Sequence, residues 1–278
     1  MDFQEIDRYL ALVAAAEAGP PRQVAAGETL RVGLDLGTCL TVLTVLSMDG
    51  EPLVCCMERS NALKDGVVVD YFAACQTVRR LKEHAEQKLG VELMECAIAM
   101  PPGTEETDGR THCYVASSSG LEVTALVDEP SAANRLLRLE NGAVVDIGGG
   151  TTGISVLHNG QVVHVGDEPT GGTHLSLVLA GNRQISFEEA ERYKLDAAHH
   201  GDVLAVTAPV IEKMAQIVLD EIRGYDVREL CLVGGTCCLT GMENIFRKYT
   251  GLAVFKPENP LLVTPVGIAL CHREEKGR

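Results

Sequence analysis

The chain has 278 residues, which is enough for about two domains. Its 46% hydrophobic and 23% charged residues are typical of folded globular proteins and exclude disordered, collagen-like and fibrous classes. The 39 acidic against 24 basic residues give a net charge of −15, which repels phosphate backbones and anionic lipid surfaces. We therefore expect no nucleic-acid partner and no membrane partner.

The first 29 residues predict a helix followed by a linker. Phe3, Ile6, Leu10 and Val13 recur at three- and four-residue steps, which predicts an amphipathic helix over 3-18. Acidic residues precede this apolar stretch, whereas a secretory signal begins with basic ones, so we expect a cytoplasmic protein. The helix either packs on its own domain or stays tethered and docks on a partner.

Residues 30-141 predict a first α/β half, because short β-branched runs alternate there with helical patterns. The predicted strands and helices follow in chain order: strands at 30-37 and 40-59 with a turn at Asp49-Gly50, a helix at 71-90, a strand at 95-100, a helix from about Thr107, a strand at 121-130 and a helix at 131-140.

At Gly142 the pattern restarts, which predicts an internal duplication. Residues 142-168 repeat the plan of 31-59, with Asn159-Gly160 in place of the first turn. Predicted helices and strands then follow: helices at 173-181, 186-194 and 204-223, a strand at 229-235, a helix at 240-250, a strand at 253-256 and a helix at 264-273. We expect a second half over 142-263, with the segment 264-278 packing back on the first half.

Each half carries a turn rich in glycine and threonine directly after an aspartate. Asp35 precedes Gly37, Thr38 and Cys39, and Asp146 precedes the run Gly148, Gly149, Gly150, Thr151 and Thr152. Such turns aim several backbone N–H groups at one anion, and phosphate is the natural ligand. Two carboxylates beside a polyphosphate require a hard cation, so Asp35 and Asp146 are candidate Mg²⁺ ligands, acting through bound water.

These motifs resemble those of the actin and DnaK-type ATPase superfamily, and they occur in that superfamily's order. The matching segments are 35-38 for phosphate-1, 128-133 for connect-1, 145-152 for phosphate-2 and 232-236 for the adenosine motif, and 171-173, 190-196 and 265-269 extend the resemblance over about 30-273. The resemblance implies a duplicated α/β actin-like fold, two ribonuclease-H-like halves around a nucleotide cleft, with reduced outer subdomains.

The resemblance also implies Mg-ATP as the ligand, with the halves closing over it. Glu129 would orient or activate the attacking water, and Asp35 and Asp146 would complete the catalytic set. The remaining predicted nucleotide contacts are Gly171, Gly172, Lys213, Gly234, Gly235 and Thr236. The lysine of an outer subdomain in DnaK-type chaperones has no identifiable equivalent before residues 65-70, which makes slow hydrolysis or mere nucleotide sensing plausible.

Within the superfamily, the compact form and the acidic N-terminus most resemble the chaperone-like proteins of bacterial ethanolamine-utilisation operons. That resemblance implies a protein client, either ethanolamine ammonia-lyase or another microcompartment enzyme, and an association with the microcompartment. Three alternatives stay open: a small-molecule kinase with its base among Asp65, Asp70 and Asp108, a filament-forming protein, and a nucleotide-binding scaffold without turnover.

Overall fold

A computed structural model of the chain describes residues 3–20, 24–25, 27–100 and 106–273, with the side chains of 106–108 excepted. These residues form two compact units. The first unit contains the chain up to Arg138 together with the segment from Leu262 onward, and the second contains Leu139–Leu261.

The first unit begins with a helix and continues with alternating strands and helices, as the sequence predicts. Its elements are α1 (Phe3–Ala18), β1 (Leu30–Leu36), β2 (Leu40–Ser47), β3 (Pro52–Arg59), β4 (Leu63–Lys64), β5 (Val67–Val68), α2 (Tyr71–Leu89), β6 (Glu95–Met100), α3 (Glu106–Ser118), β7 (Glu122–Asp128) and α4 (Glu129–Leu137). The main sheet has the order β3-β2-β1-β6-β7, in which β1 to β3 are antiparallel and β6 and β7 run parallel to β1.

The second unit repeats this plan, which confirms the duplicated actin-like fold. Its elements are β8 (Gly142–Ile147), β9 (Thr152–His158), β10 (Gln161–Glu168), α5 (Gly172–Arg183), α6 (Phe187–Leu195), α7 (His200–Glu221), β11 (Glu229–Val233), α8 (Met242–Thr250) and β12 (Ala253–Phe255), and the chain continues into α9 (Val263–Cys271). The sheet order β10-β9-β8-β11-β12 matches that of the first sheet position by position.

The hairpin formed by β4 and β5 is a feature that the sequence pattern did not predict. Its strands have two residues each, which is too short for a recognisable alternation of side chains. Asp65 and Gly66 form the turn, both with positive φ, at 48° and 78°. This hairpin occupies the place where the sequence lacks a larger outer subdomain.

Helix α9 returns to the first unit and packs there against β1 and α4. Small side chains at Ala97, Ala99 and Ala132 form a buried cluster with Ile268, which lets the helix approach the sheet closely. Beyond the helix, His272 Nδ1 accepts a hydrogen bond of 2.8 Å from the Val32 N–H, and burial lowers the pKa of this histidine to about 4. The end of α9 is therefore bonded to the backbone of β1.

Helix α1 packs against β3, so the structure shows the alternative in which this helix belongs to its own domain. Ile6, Leu10 and Val13 form its buried stripe. The Tyr9 hydroxyl donates to the Gly50 carbonyl at 2.6 Å, and the Lys88 ammonium donates to the Ala16 carbonyl at 3.1 Å. A cation at the C-terminal end of a helix is favourable, because the carbonyl groups there carry partial negative charge.

None of the helices in the described part of the chain is long and apolar enough to cross a bilayer.

We predict that Leu10→Ala destabilises the protein by about 2–4 kcal/mol, because it leaves a cavity between α1 and β3. Leu12→Ala is the matched control, since Leu10 is 0% and Leu12 is 61% exposed, and it should change the stability by less than about 0.5 kcal/mol. Urea denaturation measures both. Equal stabilities for the two variants would show that α1 is detached from the fold in solution.

Candidate nucleotide-binding site

The phosphate-1 turn of the first unit is closed by its own backbone. The Gly37 N–H donates to the Leu40 carbonyl at 3.1 Å, so β1 passes into β2 through a tight loop that contains Thr38 and Cys39. Asp35 lies in β1 opposite Val42, two residues before the turn. This places a half-buried carboxylate at the end of the strand, where the backbone N–H groups of the loop begin.

The phosphate-2 turn of the second unit has the same construction. The Gly148 N–H donates to the Thr151 carbonyl at 3.0 Å, and Asp146 lies two residues earlier in β8, opposite Gly153 of β9. Asp146 is only 7% exposed. The hydroxyl of Thr152 donates to the Thr170 carbonyl at 2.6 Å, which ties this turn to the segment that leads into α5.

Three glycine-containing segments of the second unit meet at this turn. The Gly148 carbonyl accepts from the Gly172 N–H at 3.0 Å and from the Thr236 hydroxyl at 2.7 Å. The Thr173 N–H donates to the Gly149 carbonyl at 2.8 Å. The phosphate-2 turn, the N-terminus of α5 and the adenosine motif are thus joined by direct hydrogen bonds. A helix N-terminus beside a glycine-rich turn favours anions, because both present partly positive N–H groups.

Gly171 and Gly234 are required by this close approach. A Cβ atom at Gly171 would lie 2.7 Å from the Gly149 carbonyl oxygen. At Gly234 the φ angle is +91°, and a Cβ atom would lie 2.6 Å from the Ile147 carbonyl oxygen and still closer to the Asp146 carboxylate. These backbone segments can therefore meet only because both positions lack a side chain.

Lys194 and Glu191 take part in the same junction, although the sequence analysis did not select them. The Lys194 ammonium donates to the Gly172 carbonyl at 2.9 Å and to Glu191 at 2.8 Å, and the Ser176 hydroxyl donates to Glu191 at 2.5 Å. The Lys194 side chain is only 10% exposed. Their i, i+3 spacing within the stretch 190-196 is the signal that points to them.

Lys213, by contrast, lies on an exposed position of α7, and its contact with a nucleotide stays a prediction.

Asp167 is a second acidic residue near the phosphate-2 turn that the sequence analysis did not select. Burial raises the pKa of this carboxyl group to about 6, the hydroxyl of Thr151 counteracts that shift, and the charges of Glu168 and Asp146 add to it. Its Oδ1 atom is buried and has no hydrogen-bond partner among the described residues. A cation near Asp146 would satisfy this orphaned oxygen, so the residues present fit a bound Mg²⁺.

No group of three or more His, Cys, Asp or Glu side chains in the described part of the chain is arranged to hold a metal ion. A site made only of protein ligands is therefore not available there. Mg²⁺ usually keeps several of its waters and takes one or two carboxylates together with phosphate oxygens, and the arrangement around Asp146 is compatible with that mode.

The connect-1 residues lie where β7 passes into α4. The Asp128 side chain caps the helix by accepting from the Ser131 N–H at 2.9 Å, and Glu129 is the first residue of the helix. Asp128 thus caps the helix, so helix capping does not explain the acidic residue at position 129. Glu129 is half-buried at the same strand end, and its catalytic role stays a prediction.

The residues proposed as alternative catalytic bases have different positions. Asp70 accepts from the Ala73 N–H at 2.9 Å and caps α2, and Asp65 lies in the turn of the β4-β5 hairpin. The side chain of Asp108 lies outside the described part of the chain. The structure therefore gives Asp70 a structural role that does not require a substrate.

Comparisons with known proteins identify close and distant relatives. The chain is 44% identical over 247 residues to the ethanolamine utilization protein EutJ of Escherichia coli strain K12, which covers 88% of this chain and 87% of that protein. The crystal structure of EutJ from Carboxydothermus hydrogenoformans superposes with a TM-score of 0.91 at 45% identity, covering 98% of this chain and 100% of that one. The chaperone DnaK of Akkermansia muciniphila is 32% identical over 257 residues, 71% of this chain and 40% of DnaK.

Family models match parts of the chain as well. The model of the cell division protein FtsA matches residues 143–267, and the MreB/Mbl protein model matches residues 56–180. These matches agree with the duplicated sheets and the order of the glycine-rich motifs.

We predict that Gly234→Ala destabilises the protein by about 3 kcal/mol or more, because it combines an unfavourable φ with contacts to the Ile147 carbonyl and Asp146. Gly235→Ala is the control. A Cβ atom there meets only the Leu261 side chain, at 3.2 Å, so the cost should stay below about 1 kcal/mol. Thermal denaturation without nucleotide measures both. Similar melting temperatures for the two variants would contradict the close approach of the adenosine motif to Asp146.

Proposed function

The chain belongs to the EutJ family of ethanolamine utilisation proteins within the actin-like ATPase superfamily, and from this premise we propose that it is an Mg-ATP-binding, chaperone-like protein. Its client is an enzyme of bacterial ethanolamine utilisation. Slow ATP hydrolysis drives domain closure, and the nucleotide state controls binding of the client.

The observation that best supports nucleotide binding is the junction at the Gly148 carbonyl. It accepts from the Gly172 N–H and from the Thr236 hydroxyl, so a phosphate turn, a helix N-terminus and an adenosine-type motif are fixed together. Glycine-rich turns and a helix N-terminus that are fixed side by side suit a ligand with both phosphate and nucleoside parts. The Lys194–Glu191 ion pair holds the start of α5 in place beside them.

The proposed metal is Mg²⁺, held through water by Asp35 and Asp146, with Asp167 close to Asp146. When bound, this ion would neutralise charge on the phosphate oxygens. The protein itself orients the nucleotide. The backbone N–H groups of each turn would donate hydrogen bonds to phosphate oxygens, and the threonine hydroxyls would add further donors.

For hydrolysis we assign the role of water orientation to Glu129. Its carboxylate would accept a hydrogen bond from the attacking water and take up its proton as the water oxygen bonds to the terminal phosphorus and the bond from that phosphorus to the ADP oxygen breaks. The cap of α4 is made by Asp128, so Glu129 can change without loss of the helix start. Asp35 and Asp146 support the same step through the cation.

The proposed client is ethanolamine ammonia-lyase or another microcompartment enzyme, and the protein would then associate with the microcompartment. The names of the relatives support a role in ethanolamine utilisation. Helix α1 does not supply the client contact through its apolar stripe, because Ile6, Leu10 and Val13 are buried against the first unit.

We predict that Mg-ATP stabilises the protein by about 2.7 kcal/mol at a hundredfold excess over Kd. Asp146→Asn should remove most of the part of this gain that depends on Mg²⁺, because it removes the charge that attracts the cation. Asp226→Asn is the control, since Asp226 is exposed and pairs with Arg228 on the surface. Melting curves with ATP, with and without EDTA, measure the effect. If Mg-ATP does not shift the melting temperature of the unmodified protein, nucleotide binding is refuted.

We further predict that Glu129→Gln keeps ATP binding but lowers ATP turnover at least tenfold, because the amide cannot take up the proton. Phosphate release under single-turnover conditions measures the rate. Normal turnover in this variant would contradict the catalytic role of Glu129, which would then be only the first residue of α4.

The same variant tests the client. Held in its ATP form, it should retain more of the client than the unmodified protein does in a pull-down from cells grown on ethanolamine. Recovery of the same proteins with ATP, with ADP and without nucleotide would contradict control of the client by the nucleotide.

A further inference from the structure

The segment from Ser60 to Asp70, called here hairpin 60–70, is anchored firmly to the first unit. Ala62 and Leu63 are buried, and Leu63 belongs to the core of that unit. The Ala62 carbonyl accepts from the N–H groups of Val69 and Asp70 at 2.8 and 3.0 Å, which closes the hairpin at its base. Its position is therefore fixed relative to the first sheet.

Hairpin 60–70 is also bonded to the phosphate-1 turn at two points. At its base the Ser60 N–H donates to the Cys39 carbonyl, and at its tip the Gly66 N–H donates to the Thr38 Oγ1, both at 3.3 Å. Because the Thr38 oxygen accepts from Gly66, its own O–H hydrogen remains to be donated elsewhere. The hairpin thus orients the Thr38 hydroxyl as a donor, which is the role that a phosphate oxygen requires.

Lys64 places a positive charge on this hairpin. It pairs with Val67 across the two strands, and the neighbouring pair Leu63 and Val68 turns toward the core. Successive residues of a strand point to opposite faces, so Lys64 points away from the core. The side chain is exposed, and it makes no hydrogen bond or ion pair with the residues that the structure describes.

A positive charge on hairpin 60–70 offsets the negative charge that a phosphate group meets near the phosphate-1 turn. The chain carries a net charge of −15, and Asp35 lies in β1 two residues before the phosphate-1 turn, so phosphate groups would meet a negative field there. Two other cations of the first unit are engaged elsewhere: Arg31 of β1 donates to the Leu270 carbonyl at 2.6 Å, and Arg80 of α2 pairs with Glu58. Arg59, which lies opposite Leu40 at the end of β3, is exposed like Lys64. Lys64 is not held in such a contact and lies two residues before Gly66, whose N–H donates to Thr38 Oγ1.

We propose that Lys64 binds the terminal phosphate of a nucleoside triphosphate at the phosphate-1 turn, so that hairpin 60–70 distinguishes triphosphate from diphosphate. This inference rests on the proposed nucleotide binding and deepens it. The positive charge comes from a hairpin of two short strands and needs no larger subdomain. An ammonium bonded to a phosphate oxygen forms a charge-assisted hydrogen bond, which is stronger than a bond between neutral groups.

The test is calorimetric titration of the full chain with Mg-ATP, Mg-ADP and AMP. Lys64→Ala should weaken ATP binding at least tenfold, weaken ADP binding less than threefold and leave AMP binding unchanged. Lys64→Arg should bind ATP within threefold of the unmodified protein, because it keeps the charge. Lys248→Ala, on an exposed position of α8, is the matched control for loss of one surface charge and should bind all three nucleotides normally.

The outcomes separate the two proposals. An unmodified protein that binds none of the nucleotides refutes the proposed function, and this inference with it. Normal nucleotide binding combined with an unchanged preference for ATP over ADP in Lys64→Ala refutes the role of Lys64 alone. An equal loss of ATP, ADP and AMP affinity refutes it too, because that result indicates a disturbed turn. The melting temperature of Lys64→Ala without nucleotide should match that of Lys248→Ala.

Discussion

The carbonyl oxygen of Gly148 is the contact on which the organisation of the second unit depends. Two donors from distant parts of the chain reach it, the Gly172 N–H and the Thr236 hydroxyl, and neither can do so unless the backbones approach closely. That requirement excludes side chains at Gly171 and Gly234 and fixes where α5 begins. The positions of Lys194 and Glu191 follow from the start of α5, because Lys194 donates to the Gly172 carbonyl. One acceptor atom thus holds together, through hydrogen bonds, three motifs that are far apart in the sequence.

The two units share one strand order but use different means to complete it. In the first unit the outer strand β3 is covered by α1, and its phosphate turn is supported by hairpin 60–70. In the second unit the turn is supported by the start of α5 and by Thr236, and the outer strand β10 leaves Val163 and Val165 exposed. A duplicated sheet therefore carries two different environments for its phosphate turns. The second turn is bonded to α5 and Thr236 of its own unit, whereas the first is bonded to a small hairpin.

Much of this arrangement could be predicted from the sequence, because strong local signals specify it. The turns at Asp49-Gly50 and Asn159-Gly160, with Gly50 and Gly160 at positive φ, and the aspartate before each glycine run belong to single short segments. Other features depend on contacts across the chain and left no local signal. The hairpin strands are two residues long, which is too short for a recognisable pattern. Asp167 becomes a candidate site residue only through its burial near Asp146, and Lys194 only through its bond to the Gly172 carbonyl. The location of α1 was undecided for the same reason, since an amphipathic stripe shows that a helix is covered but not by what.

The return of α9 to the first sheet has a consequence for biosynthesis. Because the chain leaves the first unit at Arg138 and re-enters it at Leu262, the second unit is an insertion within the first. Val32 of β1 is bonded to His272, and Arg31 donates to the Leu270 carbonyl, so strand β1 waits for residues that are synthesised after the whole second unit. The second unit is continuous in sequence and can fold on the ribosome as soon as Leu261 has emerged. The first unit, although its synthesis begins earlier, is completed only after the segment that follows Leu261 has left the exit tunnel.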